Sequence, residues 1–334
     1  MKVKTKELLE KLNITKAGLN TKTIIKQSDH FLFTGDFIAT YNDRFCIQVP
    51  FKFKQFSCPG DELLKVISGI KEEEIELDLQ DKQLIIKSDS TESGLNILKS
   101  GSLLDVIKEI MLEKEKWLKL PEDFIEGVFL CMFSVSKDTS KGVLNNVSIG
   151  SNKITSSDDL RISQYNMKAA VEKKFLLPIG SVVELVKIPV IRYLIKDNWG
   201  HFKTKDGIIF SSRIFLDKFY DVEEYLDVEG PEIIFPEKTK DLINGVSVLA
   251  EGEFELDKRI KVTVDKGKIK CKGEKDKGWI EKSQTFSYKG KKLEFDINPV
   301  FFSQVIDKSS HIIIGENFAL FKTDNFKHVM ALPV

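Results

Sequence analysis

The residue types that most often carry catalysis or bind metals are present in this chain, but they are scattered. His30, His201, His311 and His328 stand alone and adjoin no acidic metal-ligand pattern. Zinc binding or histidine catalysis would therefore need the fold to gather distant residues. Cys46, Cys58, Cys131 and Cys271 form no Cys-x-x-Cys pair. The expectation is reduced thiols packed as small hydrophobes, with no metal and no cofactor. No Gly-x-Gly-x-x-Gly follows a strand pattern, and P-loop, His-Glu-x-x-His and Gly-x-Ser-x-Gly signatures are missing. Asp158 and Asp159 pair two carboxylates, yet neighbours on a strand point to opposite faces, so a solvated turn is expected. The lysines of Lys266-Gly-Lys-Ile-Lys-Cys-Lys272 could hold a phosphate. As one strand of a hairpin they should instead face solvent. This inventory points to a scaffold or a ring, not to an enzyme.

Composition narrows the choice further. The 334 residues are 42% hydrophobic and 31% charged, enough to bury sizeable cores in two or three domains. Lys+Arg and Asp+Glu balance at 51 each, so any contact with nucleic acid must come from local sorting of charge. No apolar run approaches the roughly 20 residues that span a bilayer. The opening Met1-Lys-Val-Lys-Thr-Lys-Glu also lacks the apolar core of a signal peptide.

The positioning elements follow a repeat. Pro59, Pro178 and Pro299 stand 119 and 121 residues apart, each ahead of a run with apolar residues three and four apart. Proline at a first helical turn is the expected role, because its missing N–H would find no partner there. Pro121 and Pro236 precede two more amphipathic runs. Lys6–Leu12 reads as a short amphipathic helix, and Thr23–Phe53 as strand-rich. Ile75, Leu77 and Leu79 alternate with acidic residues, and a turn at Gln80–Gln83 leads into Leu84-Ile-Ile86, so a hairpin is predicted. Ile260, Val262 and Val264 with Ile269 and Cys271 predict another, as do Ile312–Ile314 with Phe318–Phe321. Strands are also expected over Val143–Met167. Residues 101–119 read as a connector containing some helix, packed on a neighbour or kept for a partner. The fold class is α+β, in three units of roughly 110–120 residues with two helices on antiparallel sheet each. Their bounds are 1–118, 119–229 and 230–334.

These units resemble the bacterial DNA polymerase III beta subunit, the sliding clamp family. Phe133–Val147 is similar to the passage that ends in a Leu-Asn-Gly-type sequence. Ser156-Ser-Asp-Asp-Leu-Arg-Ile162 stands where the family has Thr-Asp-Gly-His-Arg-Leu. Ser211–Asp221 resembles the Ser-Arg-Leu…Phe-Pro-Asp-Tyr stretch, and Val329–Val334 the closing Val-Met-Pro-Met-Arg-Leu. The chain departs from the family at Asp159-Leu160, which replace Gly-His. Asp227 falls about where the family has a pocket proline, and the final basic and leucine residues are missing.

The resemblance implies a DNA sliding clamp, a processivity factor. Two three-domain protomers would close head to tail into a six-domain homodimeric ring around duplex DNA, helices lining the hole. Implied DNA contacts are Lys6, Lys11, Lys22, Lys137, Lys141, Lys238 and Lys240. An implied pocket takes peptides from the replicative polymerase, the clamp loader and other proteins with a clamp-binding motif. Leu144, Ser157, Leu160, Arg161 and Ile162 would form one wall, and Phe301, Met330, Leu332 and Pro333 the other. The implied location is cytoplasmic, at the nucleoid or in a host cell if the source is viral, with no membrane partner. The eukaryotic type of clamp has two domains per protomer, against three repeats here. A clamp-fold scaffold or binding module that does not encircle DNA is the alternative.

Overall fold

The computed structural model describes residues 1–20, 26–99, 101–110 and 115–333. Among them are seven α-helices and four antiparallel sheets, two of eight strands and two of four. The chain divides into two compact units, Met1–Glu122 with Gly180–Leu216, and Asp123–Ile179 with Asp217–Val334.

In the first unit the long sheet begins Phe56–Pro59, His30–Phe33, Phe37–Tyr41, Phe45–Pro50. It continues Ile209–Arg213, Trp199–Thr204, Val190–Lys196, Leu118–Lys119. Its middle is the pairing of Phe45 with Ser212 through Gln48 with Ile209. The short sheet orders Lys2–Lys4, Glu74–Gln80, Gln83–Lys87 and Glu92–Asn96. The second unit repeats the plan. Its long sheet begins Phe175–Pro178, Asn146–Gly150, Lys153–Ser157, Arg161–Asn166. It continues Phe326–Ala331, Phe318–Lys322, His311–Ile314, Glu232–Ile234, with Arg161 paired to Met330 at the middle. Its short sheet orders Gly278–Thr285, Lys268–Lys275, Ile260–Asp265 and Leu293–Ile297. Residues 119–122 and 180–216 thus fall in the first unit, and 123–179 and 217–229 in the second.

The alternating runs fold as predicted. Ile75 and Leu77 face inward from one strand and Leu84 and Ile86 from the next. They meet Leu8 and Leu12 of α1 (Thr5–Thr15) and Leu63 and Ile67 of α2 (Gly60–Gly69) in one core. Each such side chain contributes about 1.5–3 kcal/mol by leaving water. Lys268 and Lys270 point outward from the Lys268–Lys275 strand while Ile269 and Cys271 point in. The helix α3 (Ser102–Ile110) buries Leu103, Leu104 and Ile107 against Leu32, Tyr41 and Trp199, so its apolar side is covered within the chain. Met111, Lys22 and Thr23 lie outside the described residues.

The prolines need a correction. Pro59 and Pro178 close strands, and the helices after them, α2 and the later Ile179–Leu185, begin one residue on. Both strands are outermost in their sheets, where a residue without an N–H is tolerated. Pro121 and Pro236 precede turns that lead into α4 (Phe124–Cys131) and, beyond α5 (Ile179–Leu185), α6 (Thr239–Val246). Only Pro299 sits in a first turn, that of α7 (Pro299–Val305). Thr139–Asn145 is a 3-10 segment kinked at Gly142, so the predicted strand starts at Asn146. A repeat signal less obvious than the prolines joins α4 and α6, which share Asp-(Phe/Leu)-Ile-(Glu/Asn)-Gly-Val. A methyl group at Gly127 would lie 2.6 Å from the Tyr165 ring, and one at Gly245 would meet the Lys282 side chain. Glycine lets each helix approach its sheet closely.

Candidate functional site

Asn298 organises a cleft in the second unit. Its Oδ1 accepts hydrogen bonds from Val300 N (2.9 Å) and Phe301 N (3.2 Å), which caps α7. Its Nδ2 donates to the carbonyls of Glu255 (2.9 Å) and Leu256 (3.3 Å). One amide therefore fixes both the helix start and the adjoining segment. Between them opens a recess of about 490 Å³ lined by Leu160, Leu256, Phe301, Leu332 and Pro333, with Glu251, Asp257 and Arg259 among its polar residues. Arg259 holds Glu251 through Nε–Oε2 (2.8 Å) and Nη2–Oε1 (2.9 Å), and this pairing keeps the Glu251 carboxyl below its ordinary pKa. A second recess of about 410 Å³ shares Leu256 and Phe301 and adds Val135, Lys137, Lys141 and Arg161.

The turn from Ser157 to Arg161 supplies the opposite wall. Asp158 Oδ1 accepts from the backbone N of Leu160 (3.2 Å) and Arg161 (3.1 Å), and Asp159 takes φ +77°. That left-handed backbone favours glycine and tolerates Asp. The turn is thus kept at the position where the resembling motif carries glycine. Asp158 is not the solvated residue expected from sequence. Its Oδ2 receives Arg161 Nε at 2.8 Å, and the two side chains are only 10% and 5% exposed. Arg161 also donates to Gln304 of α7, and its Cζ lies 4.0 Å from the Phe301 centroid and 5.6 Å from that of Phe133. A planar, weakly hydrated guanidinium suits this site between rings.

Behind Phe133 lies His328, fully buried, with Nδ1 2.8 Å from Ser163 Oγ and 3.4 Å from Ser134 Oγ. Its Nε2 has no hydrogen-bond partner. Burial, reinforced by Arg161 and Lys308, holds the imidazole well below its ordinary pKa, so it is neutral. Lys308 Nζ rests 4.8 Å from the Phe129 centroid and 5.1 Å from that of Phe133, and burial lowers its pKa too.

The expected basic residues are exposed to different degrees, and most hold carboxylates. Lys6 is 89% exposed and 4.0 Å from Glu10, and Lys11 is 3.5 Å from Glu7. Lys137 reaches Glu255 at 3.4 Å, Lys141 reaches Asp159 at 2.5 Å, and Lys240 pairs with Asp307. Lys238 is exposed just ahead of α6. Lys22 lies outside the described residues.

Of the expected pocket residues, Leu160, Phe301, Leu332 and Pro333 come together in the first recess, and Arg161 joins Phe301 in the second. Leu144, Ser157, Ile162 and Met330 line neither. Ile162 packs beside Val222 and Leu226, and Met330 is fully buried. Sequence reasoning missed Asn298, Leu256 and Gln304; an Asn-Pro pair before an apolar run was the available signal for the first. Among the described residues no cluster of three or more His, Cys, Asp or Glu could hold a metal ion. None of their helices is long and apolar enough to cross a membrane.

The sequence matches no protein-family model and no curated protein. The fold does have close likenesses among solved structures. The sliding clamp (DNA polymerase III subunit beta) of Pseudomonas aeruginosa, solved bound to griselimycin, superposes with a TM-score of 0.83 at 13% identity, covering 99% of this chain and 98% of that one. The Bacillus subtilis sliding clamp gives 0.81 at 14% identity, and the Thermotoga maritima beta subunit 0.81 at 17%, each with the same coverage. The chain has the fold of these clamps from end to end.

Proposed function

We propose that this protein is a DNA sliding clamp, a processivity factor that encircles duplex DNA as a homodimeric ring and tethers its partners through the apolar cleft. The observation that supports this most is the likeness to bacterial sliding clamps over 99% of the chain. In this reading 1–118, 119–229 and 230–334 are three clamp domains, and two protomers close head to tail. The ring holds DNA by topology. Its lysines then need only touch phosphates, which carry no sequence information and allow sliding. The cleft around Leu160, Leu256, Phe301 and Leu332 suits the apolar anchors of a short peptide. The partners are a replicative polymerase, a clamp loader and other proteins carrying such a peptide, in the cytoplasm at the nucleoid. The protein acts without catalysis, cofactor or membrane contact.

A second reading is a clamp-fold binding module that does not encircle DNA. It is favoured by the carboxylate pairs that hold Lys6, Lys11, Lys137, Lys141 and Lys240. Light scattering with negative-stain averages separates the two. A mass of twice 38.1 kDa with six-lobed rings, and retention on circular DNA that linearisation abolishes, is the expected result. A persistent monomer, or equal retention on both DNA forms, removes the ring and leaves the module.

A further inference from the structure

We propose that DNA and cleft occupancy are coupled through two ion pairs, so that phosphates engaging Lys137 and Lys141 loosen the walls of the apolar cleft. The inference rests on the reading of these lysines as phosphate contacts. Lys137 holds Glu255, the residue before Leu256, and Leu256 lines both recesses. Lys141 holds Asp159, the residue before Leu160, which lines the first. Each lysine is thus tied to the residue adjoining an apolar cleft side chain. Asp138 caps the 3-10 turn through Ser140 N (2.9 Å), and Asn145 Nδ2 bridges the carbonyls of Ser136 (3.0 Å) and Asp138 (2.6 Å). The backbone that carries the two lysines is therefore braced. The walls carry left-handed backbone at Asp159 (φ +77°) and Gly252 (φ +102°), and the outer one exposes Phe254 and Leu256.

A phosphate taking either lysine displaces its carboxylate, and like-charge repulsion then pushes the wall outward. Both pairs are largely solvent-exposed, so each carries only a modest coupling, about two- to fivefold. Linkage is reciprocal, so an apolar peptide in the cleft changes the hold on DNA by the same factor by which DNA changes the hold on the peptide.

The test is hydrogen exchange of segments 157–161 and 251–258 with and without a short duplex of arbitrary sequence. Duplex binding is followed by anisotropy for the wild type, Lys137→Ala/Lys141→Ala and Glu255→Gln/Asp159→Asn. Duplex should accelerate exchange in both segments of the wild type about two- to fivefold. The Glu255→Gln/Asp159→Asn protein should exchange at that faster rate unaided and bind duplex several-fold more tightly. If Lys137→Ala/Lys141→Ala binds duplex more weakly but wild-type exchange is unchanged or slowed, the coupling is wrong and the phosphate contacts stand. If that variant binds duplex as the wild type does, the phosphate contacts fall and the coupling falls with them.

Discussion

The guanidinium carbon of Arg161 stands 4.0 Å from the centre of the Phe301 ring. Phe301 belongs to α7 and Arg161 to the Arg161–Asn166 strand, so this stacking, with the hydrogen bond to Gln304, joins the two elements that bound the cleft. Asp158 neutralises the cation on its other side. The second recess is therefore lined by a buried ion pair stacked on an aromatic ring.

Breaking that pair from one side should be costly. Arg161→Ala leaves Asp158 buried without its cation, and a loss of about 3–5 kcal/mol is expected. The double variant Arg161→Met/Asp158→Asn should recover much of it. Urea denaturation of the single and double variants measures the difference, and additive losses would exclude a coupled pair.

Asn298 should show two separable effects. Asn298→Ala removes the cap of α7 and should cost about 1–2 kcal/mol in urea. Asn298→Ser keeps an acceptor for Val300 N and Phe301 N but loses the donor to Glu255 and Leu256. It should restore most of the stability while amide exchange around residues 255–257 stays fast.

Acid should weaken the fold through its buried histidines. Burial pushes His201 down to about 4 and His328 well below its ordinary value. The unfolded chain protonates both near pH 6.5, so it binds more protons than the folded chain below that point. Stability is then fully present above about pH 6.5 and falls as pH drops, by up to about 1.4 kcal/mol per unit per histidine until the folded pKa is reached. Urea midpoints at about pH 7.5 and about pH 5 should show the drop, and His201→Gln should lessen it, leaving the share of His328.

The thiols should be inert in the folded protein. Cys46, Cys58 and Cys271 are buried with pKa pushed up to about 12, and Cys131 is pushed up as well. Alkylation should be undetectable in native buffer and reach all four cysteines in urea. Rapid native labelling at any one would mean that its strand opens.

What the sequence showed depended on how local the signal was. Ile75–Ile86 and Ile260–Cys271 were readable as hairpins because a period of two fixes the buried face residue by residue. The prolines marked the right places for a different reason, since strand edges and helix starts both accept a missing N–H. Asp158 was misread because whether a turn carboxylate points outward depends on what folds against it, here Arg161 three residues on. Leu160, Phe301, Leu332 and Pro333 met in one recess, whereas Ile162, beside Arg161 on the same strand, points to the other side of its sheet. The cap made by Asn298 is local, but its hold on Glu255 and Leu256 is a tertiary contact that no spacing displays.

The pairing of Phe45–Pro50 with Ile209–Arg213 limits how the gene can be cut. A fragment ending at residue 118 would keep its own helices and short sheet but bare one whole flank of the Phe45–Pro50 strand. Unpaired N–H and C=O groups along Phe45–Gln48 would then be open to strand addition from any other chain. Such a truncation should precipitate or form ladders of oligomers, whereas a fusion of 1–122 to 180–216 would restore the missing neighbour.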